Sequence, residues 1–216
     1  MIDDLREEFT TGNVALVVGA GISILTTDNA PVASWRGLLR DGLHRLLKLR
    51  RVSAATGERI IAQIESDDFV EMLSAATFVS QKLGAPGDGE FRAWLRETVG
   101  SLVPKTSAAI EALGATGATI LTTNYDGLIE RITGLAAVTW QQADRCERIL
   151  RGHEKAVIHI HGYWESPETI ILGQDSYALI SADPRVQSFI RAAHLAKTFV
   201  YIVSVSDSLI PTSLNF

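Results

Sequence analysis

A single cysteine, Cys146, is present in this 216-residue sequence. A disulfide needs two cysteines and a structural zinc site needs about four Cys or His ligands at close spacing, so an intrachain disulfide framework and a zinc ribbon are both excluded. Long hydrophobic runs are missing too. The longest, Val14 to Ile22, falls well short of the ~18 apolar residues of a membrane span, and no membrane partner is expected. Nor is there an excess of positive charge. The 20 Lys and Arg are outnumbered by 25 Asp and Glu, the net charge is −5, and the basic residues are scattered, which argues against a nucleic-acid-binding surface. The opening residues, Met1 to Glu8, are acidic where a secretory leader carries positive charge. These absences lead to the expectation of a cytoplasmic protein that holds no metal.

What is present suffices for a buried core, since 46% of the residues are apolar. The length suits one domain, or one domain with an insert. Short apolar runs rich in β-branched residues predict strands at Val14–Val18, Ala118–Thr122, Ala156–Ile160, Thr169–Leu172 and Thr198–Val203. Their near-continuous apolar character, rather than strict alternation, indicates strands covered on both faces and so a parallel sheet. The expected fold class is α/β, a Rossmann-like, doubly wound, mostly parallel sheet. Helical spacing of Trp35, Leu39, Leu43, Leu46 and Leu47, then of Phe69, Met72, Leu73 and Ala76, then of Phe91, Trp94, Leu95 and Val99, fills the interval between the first two strands. A parallel crossover needs only a dozen or so residues. The surplus, residues 35–113, is read as a helical insert within a single domain of residues 1–216. Asp67 or Asp68 is positioned to cap one of these helices, and Asp183 before Pro184 signals a later one.

Three polar segments follow three predicted strands. Gly19, Ala20, Gly21 and Ser23 come directly after the first, where a tight turn lets the backbone approach a phosphate and a helix N-terminus offers unpaired N–H groups. The third glycine of the dinucleotide fingerprint is replaced by Ile24, so this turn fits either a nucleotide site or an ordinary connection. Thr122, Asn124 and Asp126 end the second strand, and His159 and His161 end another. Taken singly, Asn124 and Asp126 fit an Asx turn or a helix cap, and a strand-end histidine fits a hydrogen-bonded structural residue. Residues two apart on a strand share a face, so the two imidazoles are expected on one side. Ligands bind at the carboxyl ends of strands in open parallel sheets, and the three segments are expected to meet there.

In this order, Gly-Ala-Gly-Ile-Ser from Gly19, Thr-x-Asn-x-Asp from Thr122 and the His161-Gly162 pair resemble the sirtuin fold, and within it the zinc-less domains that consume NAD, many of them in bacterial antiphage defence. The resemblance runs from about Val14 to Val203. It implies that Gly19, Ala20, Gly21 and Ser23 cradle the NAD phosphates and adjacent ribose. Asn124 would sit beside the nicotinamide ribose, Asp126 would place the nicotinamide carboxamide, and His161 rather than His159 would be catalytic. Thr122 and Ser204 complete the residues expected to bind the cofactor. Ser204 lies in the Val203 to Ser208 run, which stands where the family commonly has a Gly-x-Gly-type turn near the adenosine. The Trp35-Arg36 pair matches an aromatic-Arg pair near the cofactor only loosely, and Arg36 fits a solvated helix position better.

The resemblance implies NAD as substrate, cleaved at the nicotinamide–ribose bond to nicotinamide and ADP-ribose or a cyclic ADP-ribose. A neutral histidine near its ordinary pKa would take the proton. The alternatives are a non-catalytic NAD or ADP-ribose sensor or assembly module and, less favoured because the four-cysteine zinc module is missing, a protein deacylase. The stop at Phe216 soon after the last predicted strand fits either a fragment of a longer protein or a domain that completes itself as a homo-oligomer, and the resemblance implies control by a regulatory partner protein, a ligand or filament formation.

Overall fold

The computed structural model describes residues 2–85, 87 and 89–202. The first helix, α1 (Ile2–Thr10), leads into β1 (Val14–Val18), whose five residues are all shielded from solvent. A short helix follows, α2 (Ala20–Thr26), and then five more before the chain returns to the sheet: α3 (Trp35–Lys48), α4 (Ala54–Glu65), α5 (Phe69–Leu83), α6 (Gly89–Glu97) and α7 (Ala108–Ala115). Next come β2 (Thr119–Thr122), α8 (Leu128–Thr133), β3 (Ala136–Thr139), α9 (Ala143–Leu150) and β4 (Ala156–His159). The hairpin α10 (Gln174–Ala182) and α11 (Pro184–Ala196) precedes β5 (Thr198–Ile202).

The five strands form one parallel sheet in the order β3-β4-β2-β1-β5, flanked by helices, as the apolar runs predicted. Alternation along the strands divides the core between two faces. Val14, Leu16, Val18, Ile120 and Val157 pack with Ile110 and Leu113 of α7 and Leu128 and Ile129 of α8 on one side. Ala15, Leu121, Val138, Ala156 and Ile158 meet Cys146 and Ile149 of α9 and Phe189 of α11 on the other. Both faces are therefore covered, which explains why the strands read as continuous apolar runs rather than alternating ones.

Helices α3 to α6 carry a separate core in which Leu39, Leu46, Ile64, Val79 and Trp94 are completely inaccessible to solvent. Three of these helices begin with a side-chain cap. Ser34 accepts from Gly37 N, Ser53 from Thr56 N and Asp68 from Val70 N, each satisfying one of the donors a helix leaves open at its start. Asp183 caps α11 in the same way, through Arg185 N. Arg45 of α3 reaches Glu90 and Glu97 of α6, and Arg40 pairs with Glu65 of α4. Such exposed pairs add little, so the apolar core is what holds these helices together. Arg36 is a tie rather than a solvated residue. Its guanidinium donates to the Ile64 and Ser66 carbonyls at 2.7 and 3.2 Å, closing the C-terminal end of α4.

One predicted strand is absent. Pro167 opens a turn of 3-10 helix (Pro167–Thr169), and the buried residues 170–172 continue without a ladder. The backbone here is satisfied from elsewhere: Ile171 N donates to His161 O at 2.9 Å, Thr169 O accepts from the Trp140 indole at 2.8 Å, and Ile171 O accepts from the Tyr125 hydroxyl at 2.7 Å. A segment whose polar groups are already paired has no need of a neighbouring strand. In its place the sheet gains β3, whose Ala136-Ala137-Val138-Thr139 carries too little apolar bulk to announce itself.

Trp94→Ala removes the largest side chain of the helical core and is expected to cost about 3–5 kcal/mol, measured as a lowered urea midpoint.

Candidate functional site

The carboxyl ends of β1, β2 and β4 lie side by side, because β2 pairs with both of the others. The chain leaves β1 at Gly19, which takes up extended backbone (φ −105°, ψ −176°) before α2 begins at Ala20. Neither Gly19 nor Gly21 adopts positive φ, so this turn does not use glycine for its left-handed freedom. After β2 the chain turns through Thr123, Asn124 and Tyr125 into α8, and Thr122 anchors that turn. Its hydroxyl donates to Val18 O at 3.0 Å and accepts from Asn124 N at 3.1 Å, so its contacts lie within the protein.

Asn124, Ser23 and Asp126 meet in one buried network. The Asn124 Nδ2 group donates to Gly19 O at 3.1 Å and to Ser23 Oγ at 2.9 Å, and Ser23 Oγ donates to Asp126 Oδ2 at 2.6 Å. The remaining carboxylate oxygen of Asp126 accepts from Leu128 N at 3.0 Å, the Asx cap that its position before α8 suggested. Burial pushes the Asp126 carboxyl above its ordinary value and Glu130 adds to this, while the bonds from Ser23 and Leu128 pull it back. Both amide protons of Asn124 are committed to Gly19 and Ser23. Its Oδ1 makes no hydrogen bond to the described residues and is the acceptor left for a ligand.

The two histidines part company. Since β4 ends at His159, strand alternation does not carry on to His161, and the shared face expected from sequence is not formed. His159 is buried, with Nδ1 2.9 Å from Asn124 O and Nε2 2.8 Å from Glu130 Oε1. His161 is only partly covered, and its ring meets Tyr177 of α10 edge-on at 5.5 Å. Burial pushes its pKa down to about 4, so at cellular pH it is a neutral imidazole and a weaker base than an ordinary histidine, contrary to the expectation of an unshifted value. Gly162 holds the turn that follows, with φ +94° and a Cβ position that would lie 2.3 Å from Thr169 O. Gly19, Ala20, Gly21, Thr123 and His161 are each partly exposed.

A family model described as a SIR2-like domain matches residues 118–211. Over that stretch, less than half of its length, the chain is similar to a sirtuin-like domain. The match takes in Asn124, Asp126 and His161, whereas Gly19 to Ser23 lie ahead of it and join the site through the hydrogen bonds of Asn124 and Asp126. It supports a sirtuin-like, NAD-related function. Ser204 lies outside the described residues. Among those described, no cluster of three or more His, Cys, Asp or Glu is placed to hold a metal ion, and no helix is long and apolar enough to cross a membrane.

Sequence reasoning missed Glu130. The available signal was an acidic residue among Leu128, Ile129 and Ile132 of a short helix, four positions after Asp126, where the helical repeat returns it to the same side. It also ranked His159 below His161, although His159 is the one bonded to the network.

Because the unfolded chain takes up a proton on His161 near pH 6.5 and the folded protein only near about 4, stability is expected to fall as pH drops across that interval. His161→Gln should flatten the decline in thermal midpoint between those two pH values.

Proposed function

We propose that this sirtuin-like domain is an NAD hydrolase that cleaves the bond between nicotinamide and ribose. The observation that carries the reading is the buried network joining Ser23, Asn124 and Asp126 across the ends of β1 and β2, beside β4, the strand that His161 follows. Residues from three segments gathered at the carboxyl edge of a parallel sheet match the usual place of a nucleotide site.

The chemistry asks for a rigid grip on the ribose, because positive charge develops at the anomeric carbon as the bond to nicotinamide lengthens. Nicotinamide departs with the electron pair of that bond and leaves as a neutral molecule. The oxygen of water, or an internal nucleophile in a cyclising reaction, forms the new bond to the same carbon. Asn124 Oδ1, whose partner amide group is locked, is suited to accept from a ribose hydroxyl or the attacking water without adding charge. Neutral His161 is suited to receive the proton that water gives up. The N–H groups of Ala20 and Gly21, which make no hydrogen bond among the described residues, suit the phosphates, with Gly19 contributing the turn. The resemblance to antiphage NAD-consuming domains extends the reading to a regulated role in defence or signalling.

A second reading, a binder of NAD or ADP-ribose without turnover, draws on the depressed pKa of His161, which weakens it as a base. The two are separated by one assay. Nicotinamide release from NAD is expected of the wild-type chain. Asn124→Ala and His161→Ala should each slow it on the order of 100-fold or more, the usual contribution of a positioned acid or base. Tight binding of ADP-ribose with no release in any of the three would favour the binder, and equal release in all three would remove both residues from the mechanism.

A further inference from the structure

We propose that His159 and Glu130 form a buried positioning pair that holds Asn124 in its working orientation, an inference that rests on the NAD-cleaving reading above. His159 ends β4 with its side chain 1% exposed, and Glu130 lies on α8 with 11% exposed. The pair therefore spans from the strand that precedes His161 to the helix that Asp126 caps.

Geometry assigns the protons. A carbonyl only accepts, so Nδ1 of His159, 2.9 Å from Asn124 O, carries a hydrogen. Two bare acceptors would repel at the 2.8 Å separating Nε2 from Glu130 Oε1, so one proton lies between them and the pair is neutral overall. With both ring nitrogens hydrogen-bonded, Glu130 thus fixes the ring of His159 in the orientation in which Nδ1–H meets Asn124. The other Glu130 oxygen is buried without a hydrogen-bond partner among the described residues. The titratable groups facing the pair are Asp126, at the start of α8, and Tyr163, whose ring centre is 4.7 Å from that of His159.

The result is that Asn124 is held at every polar group but one. Its N–H is taken by Thr122, its main-chain carbonyl by His159, and its side-chain amide by Gly19 and Ser23. Among the described residues Oδ1 alone is left over. Removing the bond to the main-chain carbonyl frees the peptide after Asn124 to rotate, and the side chain would shift with it. Stability does not explain the arrangement, because a buried ionisable pair is commonly matched or bettered by apolar side chains of the same volume. A neutral, fully oriented clamp beside a reacting ribose does explain it.

The test compares Glu130→Gln, Glu130→Leu and His159→Leu in the full chain. Both leucine variants are expected to lower kcat for nicotinamide release about tenfold or more, with the KM for NAD within about twofold, as a small misplacement of a reacting contact produces. Glu130→Gln restores most of the rate, because its amide donates to Nε2 and preserves the Nδ1–H tautomer. Long-range proton–nitrogen NMR of the imidazoles should show a hydrogen on Nδ1 of His159 in the wild type and in Glu130→Gln. The Asn124 side-chain amide signals should move in Glu130→Leu and stay in Glu130→Gln. Equal losses in both Glu130 variants, or a rise in KM at constant kcat, overturns the pair. If the wild type releases no nicotinamide, the NAD-cleaving reading fails by itself, and the NMR comparison then decides, with unmoved Asn124 signals in Glu130→Leu overturning the pair. Should Glu130→Leu not fold, Glu130→Met takes its place.

Discussion

The bond from the Ser23 hydroxyl to the Asp126 carboxylate, with the Asn124 amide donating to the same hydroxyl, joins segments about a hundred residues apart in the chain. A hydroxyl that both donates and accepts is satisfied, and a buried carboxylate that accepts from a hydroxyl and a backbone N–H is satisfied on both oxygens. Ser23 and Asp126 can therefore be buried without stranding a polar group, and Asn124 Oδ1 is the acceptor the network leaves unused among the described residues. It also requires that β1 and β2 stay in register, because Ser23 follows one and Asn124 the other. The parallel sheet and the site are in this sense one construction.

The helices between those strands bear on the site at a distance. Their core includes Tyr125, Ile170 and Leu172, which belong to the turns after β2 and β4, so the packing of α3 to α6 reaches residues adjacent to Asn124 and to the segment bonded to His161. Helix α10 meets α5 through Thr77, whose hydroxyl accepts from Gln174 N at 2.7 Å, and through Gln81, which donates to Asp175 at 3.0 Å. Tyr177, held on that helix, meets the His161 ring edge-on, and burial lowers the pKa of that imidazole. The position of this aromatic is thus fixed by packing against a part of the chain distant in sequence.

Much of the fold was legible because its signals are local. Five-residue apolar runs such as Val14–Val18, a proline after Asp183, and acids or serines ahead of apolar periodicity need only neighbouring residues to be read. The failures share a cause. Residues 170–172 look like a strand, but their backbone is claimed by His161, Trp140 and Tyr125, partners that the local pattern cannot show. Ala136–Thr139 lacks bulk and becomes a strand only because β4 offers it a ladder.

The order of polar motifs after strands, and with it the identity of Asn124, Asp126 and His161 as candidates and the resemblance to sirtuins, was set by the amino-acid sequence alone. It also set which residues could accept or donate, since those capacities belong to the side chains. Only the tertiary structure decided that Asn124 commits both amide protons and keeps Oδ1, that His159 rather than His161 is wired to it, and that Glu130 completes the contact. Hydrogen bonds need atoms within about 3 Å, and for residues 29 to 105 positions apart that closeness is created by the sheet and not by the chain.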